Sequence, residues 1–96
     1  MNILKINPAD NVAVALEAMT SGTVLTVDGT EITLNADIPM GHKIALTDIA
    51  EKENVVKYGY PIGHARAAIR RGDWVNETTI KTNLEGLLDY EYNPQQ

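Results

Sequence analysis

Apolar residues recur at a fixed spacing in three parts of the chain. Each copy has an alanine, an apolar residue four positions later, a turn-forming position at the seventh and another apolar residue at the tenth. The copies begin at Ala15, Ala45 and Ala65. Because their offsets of 30 and 20 residues are unequal, a solenoid is excluded. We therefore interpret the copies as three related strand–turn–strand corners of one compact domain.

One corner departs from this pattern at its turn. Lys52 stands at the position that glycine occupies in the other two copies, as Gly22 and Gly72. If the position needs a left-handed backbone, lysine there costs about 1 kcal/mol. The sequence leaves open whether this turn has a different conformation or tolerates the strain.

Alternating apolar residues predict short strands around the corners. Asp28-Gly29 lies between two such runs and is typical of a type I′ hairpin turn, so we expect residues 23–27 to pair with residues 30–34. Residues 2–6 are predicted as the first strand. Frequent turns between short strands indicate a mainly β fold. The segments DNVAVALEAM and HARAAIRRG also allow one or two short helical turns.

Composition narrows the class of protein. The 96 residues are 44% hydrophobic and 22% charged, as in an ordinary globular domain, whose core here must be built from Val, Ile, Leu and Ala. A net charge of −5 disfavours nucleic acid as a partner, because phosphates attract clustered lysine and arginine. The chain has no cysteine, no membrane-spanning apolar run and no signal-peptide pattern. We therefore expect a cytoplasmic protein that binds neither nucleic acid nor membrane.

The two histidines are the first candidates for chemistry. His42 and His64 each follow a glycine and precede the alanine of a repeat copy, but no carboxylate lies beside them at metal-ligand spacing. His42 and the adjacent Lys43 could bind a carboxylate or act as acid and base. The alternative for Lys43 is a solvated cation at a strand edge. The alternative for both histidines is a structural role at a strand start. We favour this role for His64, with a contact to substrate left open, and for His42 both interpretations stay open.

A second polar cluster lies in the segment KYGYP. Gly59 and Pro61 indicate a fixed turn, beside which Lys57 and Tyr58 offer an ammonium group and a hydroxyl. The tyrosines either pack over the turn, which we favour, or help to line a polar ligand site. Lys57, Tyr58 and Gly59, together with His64, are the candidate substrate-binding residues. The chain has no Ser-His-Asp set and no phosphate-binding glycine loop.

Several linked motifs resemble the small domain of the altronate/galactarate dehydratase family. They are IP-x-GHK-x-AL, V-x-KYG-x-PIG and I-x-x-G-x-WV, in that order and spacing, within residues 37–75. NPADNVAVAL and IKTNLEGLLDYEYNP resemble the entry and exit segments of that domain. The resemblance implies a compact β-clip fold of the SAF type, built from short strands and hairpins. It also implies a relationship to the small subunit of sulfolactate sulfo-lyase.

The resemblance implies a part of a lyase that removes water from a sugar acid such as altronate or galactarate. Residues 1–83 would form the SAF-like domain, and residues 84–96 a tail leading to a large catalytic domain or subunit. The chain alone would bind no cofactor and show no activity, whereas the full enzyme would use iron or another divalent metal. His42 and Lys43 would be its catalytic residues. Self-association through the apolar tail is left open.

The chain departs from the family directly after the WV element. The family carries a His-x-His-Asn run there, whereas residues 76–79 of this chain read NETT. Glu77 could partly replace the histidines as a metal ligand, since carboxylate and imidazole both ligate iron. Because asparagine and threonine transfer no protons near pH 7, His42 and Lys43 are the remaining acid–base groups. The alternative function is therefore a non-catalytic β-clip module that binds a protein partner or a carbohydrate acid.

Overall fold

The computed structural model describes residues 2–82, which form a mainly β fold as predicted. Its strands are β1 (Ile3–Leu4), β2 (Val12–Ala15), β3 (Val24–Val27), β4 (Thr30–Thr33), β5 (Lys43–Ala45), β6 (Asn54–Lys57), β7 (Tyr60–Ala65), β8 (Trp74–Val75) and β9 (Ile80–Thr82). No helix that could cross a membrane occurs within these residues. The predicted tail, residues 84–96, lies outside the described residues.

The described strands form three antiparallel sheets. The central sheet has the order β1-β2-β5-β8, β3 and β4 form a two-stranded sheet, and the third sheet has the order β6-β7-β9. In the central sheet Lys43 of β5 lies between Val14 of β2 and Val75 of β8. This strand order places strands that are distant in the sequence side by side, so residues from separate segments can contribute to one site.

The central sheet separates two aliphatic clusters. The first consists of Ile3, Ala13, Ala15, Met19, Leu25, Leu34, Ile38 and Ile44. The second consists of Val12, Ala45, Ile49, Val55, Ala65, Ile69 and Val75. The adjacent Ile44 and Ala45 belong to different clusters, because successive side chains of a strand point to opposite faces of the sheet. Both faces of β5 are thus buried near its centre, and this fixes its position.

The corner repeat has four copies in the structure, one more than the sequence analysis predicted. The additional copy begins at Leu34 and continues with Ile38, Gly41 and Ile44 at the same spacings. Its first residue is leucine, whereas the three predicted copies begin with alanine. The copies pair through short bridges, one between Met19 and Ile38 and the other between Ile49 and Ile69. The chain therefore folds as two similar halves.

Residues 2–82 contain no helix, so the one or two expected helical turns are absent. The segment DNVAVALEAM forms β2 and a bend, and HARAAIRRG ends in a tight turn. In each copy the backbone amide of the residue after the turn position bonds the carbonyl three residues earlier, for example from Asp73 to Arg70 at 2.9 Å. The turn positions Gly22, Gly41, Lys52 and Gly72 have φ values of 91°, 86°, 73° and 93°. Such values are incompatible with a helix and suit the third position of a type II turn.

The question raised by Lys52 is therefore answered: its turn has the same conformation as the others. Lys52 adopts φ 73°, which costs a non-glycine residue about 1–2 kcal/mol. The backbone amide of Lys52 donates to the Ala65 carbonyl at 2.8 Å, and the Glu53 carboxylate accepts a 2.6 Å bond from the Ala50 amide. These bonds hold the strained turn in place.

The Asp28-Gly29 hairpin is confirmed, with β3 and β4 as its strands. Asp28 and Gly29 have φ values of 51° and 80°, as a type I′ turn requires. The second half of the chain has a matching hairpin, in which Tyr58 and Gly59, at 58° and 78°, join β6 to β7. The predicted first strand is shorter than expected and covers only Ile3–Leu4.

Candidate functional site

A groove of about 940 Å³ opens beside β5 and β8. Its walls come from the start of β5, from β8 and the turn after it, and from the ends of β7 and β9 that face them. Its charged and aromatic lining residues are His42, Lys43, Arg66, Trp74, Glu77 and Lys81. The structure therefore brings together the two predicted catalytic residues and the predicted metal ligand, and adds three residues that the sequence analysis did not select.

A hydrogen bond from Trp74 determines how His42 can act. The indole Nε1 of Trp74 donates to Nδ1 of His42 at 3.2 Å, and the rings meet edge to face with centroids 5.3 Å apart. Because indole nitrogen can only donate, Nδ1 is the acceptor and the proton of the neutral imidazole lies on Nε2. His42 therefore presents a hydrogen-bond donor through Nε2.

Lys43 is the group in the groove best suited to act as a base. It lies in β5 and is partly buried. Burial lowers the pKa of the Lys43 amine below its ordinary value, and the positive charge of Lys57 lowers it further. A larger share of Lys43 is thus neutral at a given pH than of an exposed lysine. A neutral amine is what a proton-abstracting lysine requires.

The turn after β8 uses most of its polar side chains to hold its own shape. The Asn76 carbonyl oxygen Oδ1 accepts from the amide and the hydroxyl of Thr78, at 2.8 and 2.5 Å. The Thr79 hydroxyl accepts from the Asn76 amide and donates to the Asn76 carbonyl, both at 2.9 Å. The NETT sequence is therefore a self-bonded turn, in which the Glu77 side chain takes no part in these bonds.

The described residues do not by themselves fit an iron site. Within residues 2–82 no group of three or more His, Cys, Asp or Glu side chains could hold a metal ion. In the groove, Glu77 is the carboxylate available and Nδ1 of His42 is already bonded to Trp74. A metal bound by Glu77 would need further ligands from outside this part of the chain. The role of Glu77 as a ligand stays a prediction.

The other predicted substrate-binding residues do not line the groove. Lys57, Tyr58 and Gly59 are at the tip of the β6–β7 hairpin, where the Lys57 Nζ sits 4.6 Å from the centre of the Tyr58 ring. His64 lies in β7, between Asn54 of β6 and Lys81 of β9. The positive charge of Lys57 nevertheless helps to lower the pKa of Lys43 in the groove. Direct contact of these four residues with substrate stays a prediction.

Asp10 fixes this hairpin tip, a role that the sequence analysis did not assign. Its carboxylate, 5% exposed, accepts from the Gly59 amide at 2.7 Å and the Asn7 amide at 3.1 Å. Burial alone would raise the pKa of the Asp10 carboxyl. The backbone amides of Gly59, Asn7, Tyr58 and Ile6 outweigh that effect and hold its pKa below the usual value.

Asp10→Asn is expected to lower the free energy of unfolding by about 2 kcal/mol at pH 7, since the amide side chain cannot accept both bonds. The pKa of Asp10 is lower in the folded state than the unfolded value of about 3.9. Its contribution is therefore complete above that value and is lost as the pH falls through the folded pKa. Urea denaturation at pH 7 and pH 3 should show the difference between wild type and variant shrinking in acid.

Asp37→Asn is the matched control for Asp10→Asn, because the exposed Asp37 carboxylate accepts a single amide bond, from Ser21 at 2.8 Å. It should cost less than Asp10→Asn at pH 7. A loss for Asp10→Asn that is the same at both pH values would show that the charge of Asp10 contributes nothing to folding.

Comparison with known proteins gives a consistent result. Residues 1–83 match the altronate/galactarate dehydratase SAF domain. The chain is 49% identical to altronate dehydratase of Escherichia coli (strain K12) and 42% identical to that of Bacillus subtilis (strain 168), each over 98% of this chain and 19% of the relative. It is 40% identical to (2R)-sulfolactate sulfo-lyase subunit alpha of Chromohalobacter salexigens, over 67% of this chain and 69% of the relative.

Proposed function

We propose that this chain, which belongs to the altronate/galactarate dehydratase SAF domain family, contributes His42 and Lys43 to the active site of a sugar-acid dehydratase. The observation that carries the proposal is their placement together in a groove that also holds Arg66 and Lys81. A sugar acid has a carboxylate, which such a groove attracts. Since the chain spans 19% of the altronate dehydratases that it matches, a large domain or subunit would complete the site.

Dehydration of a sugar acid removes the proton next to the carboxylate and a hydroxyl group from the neighbouring carbon. In the proposal the neutral amine of Lys43 takes that proton, which its lowered pKa favours. The Nε2–H of His42 donates a hydrogen bond to the departing hydroxyl oxygen. The cations of the groove stabilise the negative charge that develops on the carboxylate side of the substrate. We assign any divalent metal of the complete enzyme to the large domain. Glu77 is the carboxylate that this groove could contribute as an additional ligand to that metal.

The test is a chimeric enzyme in which this chain replaces the matching residues of the Escherichia coli altronate dehydratase. The chimera is expected to dehydrate altronate to a 2-keto acid, while the chain alone and the enzyme without its matching residues are expected to show no turnover. Galactarate and sulfolactate are assayed in parallel to identify the preferred acid. A folded chimera that is no more active than the enzyme without its matching residues would contradict the proposed function.

A non-catalytic binding module is the second candidate, and the NETT turn favours it. That turn bonds to itself where the family has histidines, so the chain has fewer groups for proton transfer. On this alternative the groove binds a carbohydrate acid or a protein partner without turnover. Binding of altronate to the chain, combined with an inactive chimera, would support this candidate over the first.

A further inference from the structure

Two cations of the groove, Arg66 and Lys81, form no ion pair among residues 2–82, although Glu77 lines the same groove. The ion pair found in this part of the chain joins Lys5 to Asp28 at 2.6 Å, and neither of these residues lines the groove. Clustered cations repel one another, and they are unexpected in a chain whose net charge is −5. The cluster therefore matches an anion that comes from outside the described residues.

Arg66 is the cation whose orientation is fixed. Its Nε donates to the Ile80 carbonyl at 3.0 Å, and its backbone amide donates to the Thr79 carbonyl at 2.9 Å. These bonds attach the guanidinium to the start of β9. They leave the two terminal nitrogens of Arg66 without a hydrogen bond in the described part of the chain. Such a planar pair of N–H groups matches the two oxygens of a carboxylate.

Arg66 and Arg71 are close in the sequence but lie at different places in the structure. Arg66 lines the groove, whereas Arg71 lines a different cavity of about 290 Å³ together with Lys5 and Asp10. Arg71 thus resembles Arg66 in charge and exposure but lies outside the groove. It provides a matched comparison for any effect of removing one arginine.

We propose that Arg66, assisted by Lys81, forms a carboxylate-binding site that holds the acid group of a hydroxy acid in the groove. This inference rests on the proposed function, because it names the part of the substrate that the groove recognises. Arg66 binds the carboxylate through its two terminal nitrogens, and Lys81 adds attraction as a point charge. The site belongs to this chain, so it binds the acid in the absence of a large domain.

Trp74, the single tryptophan of the chain, lies in the groove and reports on binding. Titration with altronate is expected to change the fluorescence of Trp74 saturably, whereas altritol, which has a hydroxyl in place of the carboxylate, should leave it unchanged. Arg66→Gln is expected to weaken altronate binding at least 10-fold. Arg66→Lys should restore little of the affinity for altronate, because lysine keeps the positive charge but lacks the planar pair of N–H groups.

Two further variants separate the site from general charge and folding effects. Lys81→Gln should weaken binding about 2- to 5-fold, as loss of one exposed charge does, and its side chain makes no bond to the described residues that could disturb the fold. Arg71→Gln should leave the affinity unchanged. Equal affinity for altronate and altritol, or equal losses for Arg66→Gln and Arg71→Gln, would overturn the carboxylate site.

Failure of the Arg66 site can be distinguished from failure of the proposed function. An active chimera that depends on Lys43, combined with no carboxylate-selective binding by the chain, would overturn the Arg66 site and leave the dehydratase role standing. Selective binding by the chain, combined with an inactive chimera, would support the Arg66 site and assign the chain to the non-catalytic candidate.

Discussion

Lys43→Met is expected to reduce kcat/KM for altronate about 100-fold or more in the chimeric enzyme. A positioned general base contributes about 10² to 10⁴ in rate, and methionine removes the amine while it keeps an unbranched apolar stem. That stem matters because Lys43 is partly buried between Val14 and Val75. Steady-state kinetics with purified chimera give the value, and circular dichroism shows whether the variant keeps its fold.

The pH profile separates a base from a residue that only binds. If neutral Lys43 takes the proton, kcat/KM rises with pH through the pKa of Lys43. Lys57→Met removes a positive charge that lowers this pKa, so the rising part of the profile should move to higher pH. A profile that does not move in Lys57→Met, together with near-normal turnover of Lys43→Met, would remove Lys43 from the mechanism.

His42 should matter through Nε2, which Trp74 keeps protonated. His42→Ala is expected to lower kcat/KM about as much as Lys43→Met, because it removes the donor to the departing hydroxyl. Trp74→Phe keeps an aromatic ring beside His42 and removes the indole N–H that bonds Nδ1 at 3.2 Å. This variant should have a smaller effect, since His42 remains but its tautomer is no longer fixed.

The sequence predicted the architecture well where spacing alone determines it. The Asp28-Gly29 turn identified its hairpin, because a type I′ turn requires positive φ at both residues. The corner repeat was visible wherever it began with alanine. The copy that begins at Leu34 was missed because leucine fills the same buried position, and the core selects for volume rather than for one residue type. The helical turns were wrong because Val12–Ala15 pairs as a strand and Gly72 has positive φ, and the local composition revealed neither.

The site was less predictable because separate strands contribute to it. His42 and Lys43 were selected from the GHK element, and both line the groove. Trp74 lies 32 residues further along the chain than His42 and reaches it only because β8 pairs with β5. Arg66 reaches the groove through its bond to the Ile80 carbonyl. Neither contact has a local sequence signature, so only the pairing of the strands shows it.

Gly72→Ala is expected to lower the free energy of unfolding by about 3 kcal/mol, the largest loss of any glycine in the four corners. An added Cβ would lie 2.2 Å from the carbonyl oxygen of Thr33, a backbone atom that cannot easily move away. Gly72 is also held from both sides, since its amide donates to the Ala45 carbonyl at 2.9 Å and its carbonyl accepts from the Asn35 amide at 3.0 Å. Overpacking of this kind costs about 1–3 kcal/mol, in addition to about 1–2 kcal/mol for an alanine with positive φ.

Gly22→Ala isolates the second of these costs. Gly22 has φ 91°, close to the 93° of Gly72, but an added Cβ there has no neighbour within 4 Å. Gly22→Ala should therefore lower the free energy of unfolding by only about 1–2 kcal/mol. The positive φ of Lys52 shows that a cost of this size is tolerated at the equivalent position. Urea denaturation of both variants gives the two values. Equal losses of stability would mean that a small shift relieves the close approach to Thr33. A larger loss for Gly72→Ala would assign the difference to the contact between Gly72 and the Thr33 carbonyl, which holds the turn before β8 against the first half of the chain.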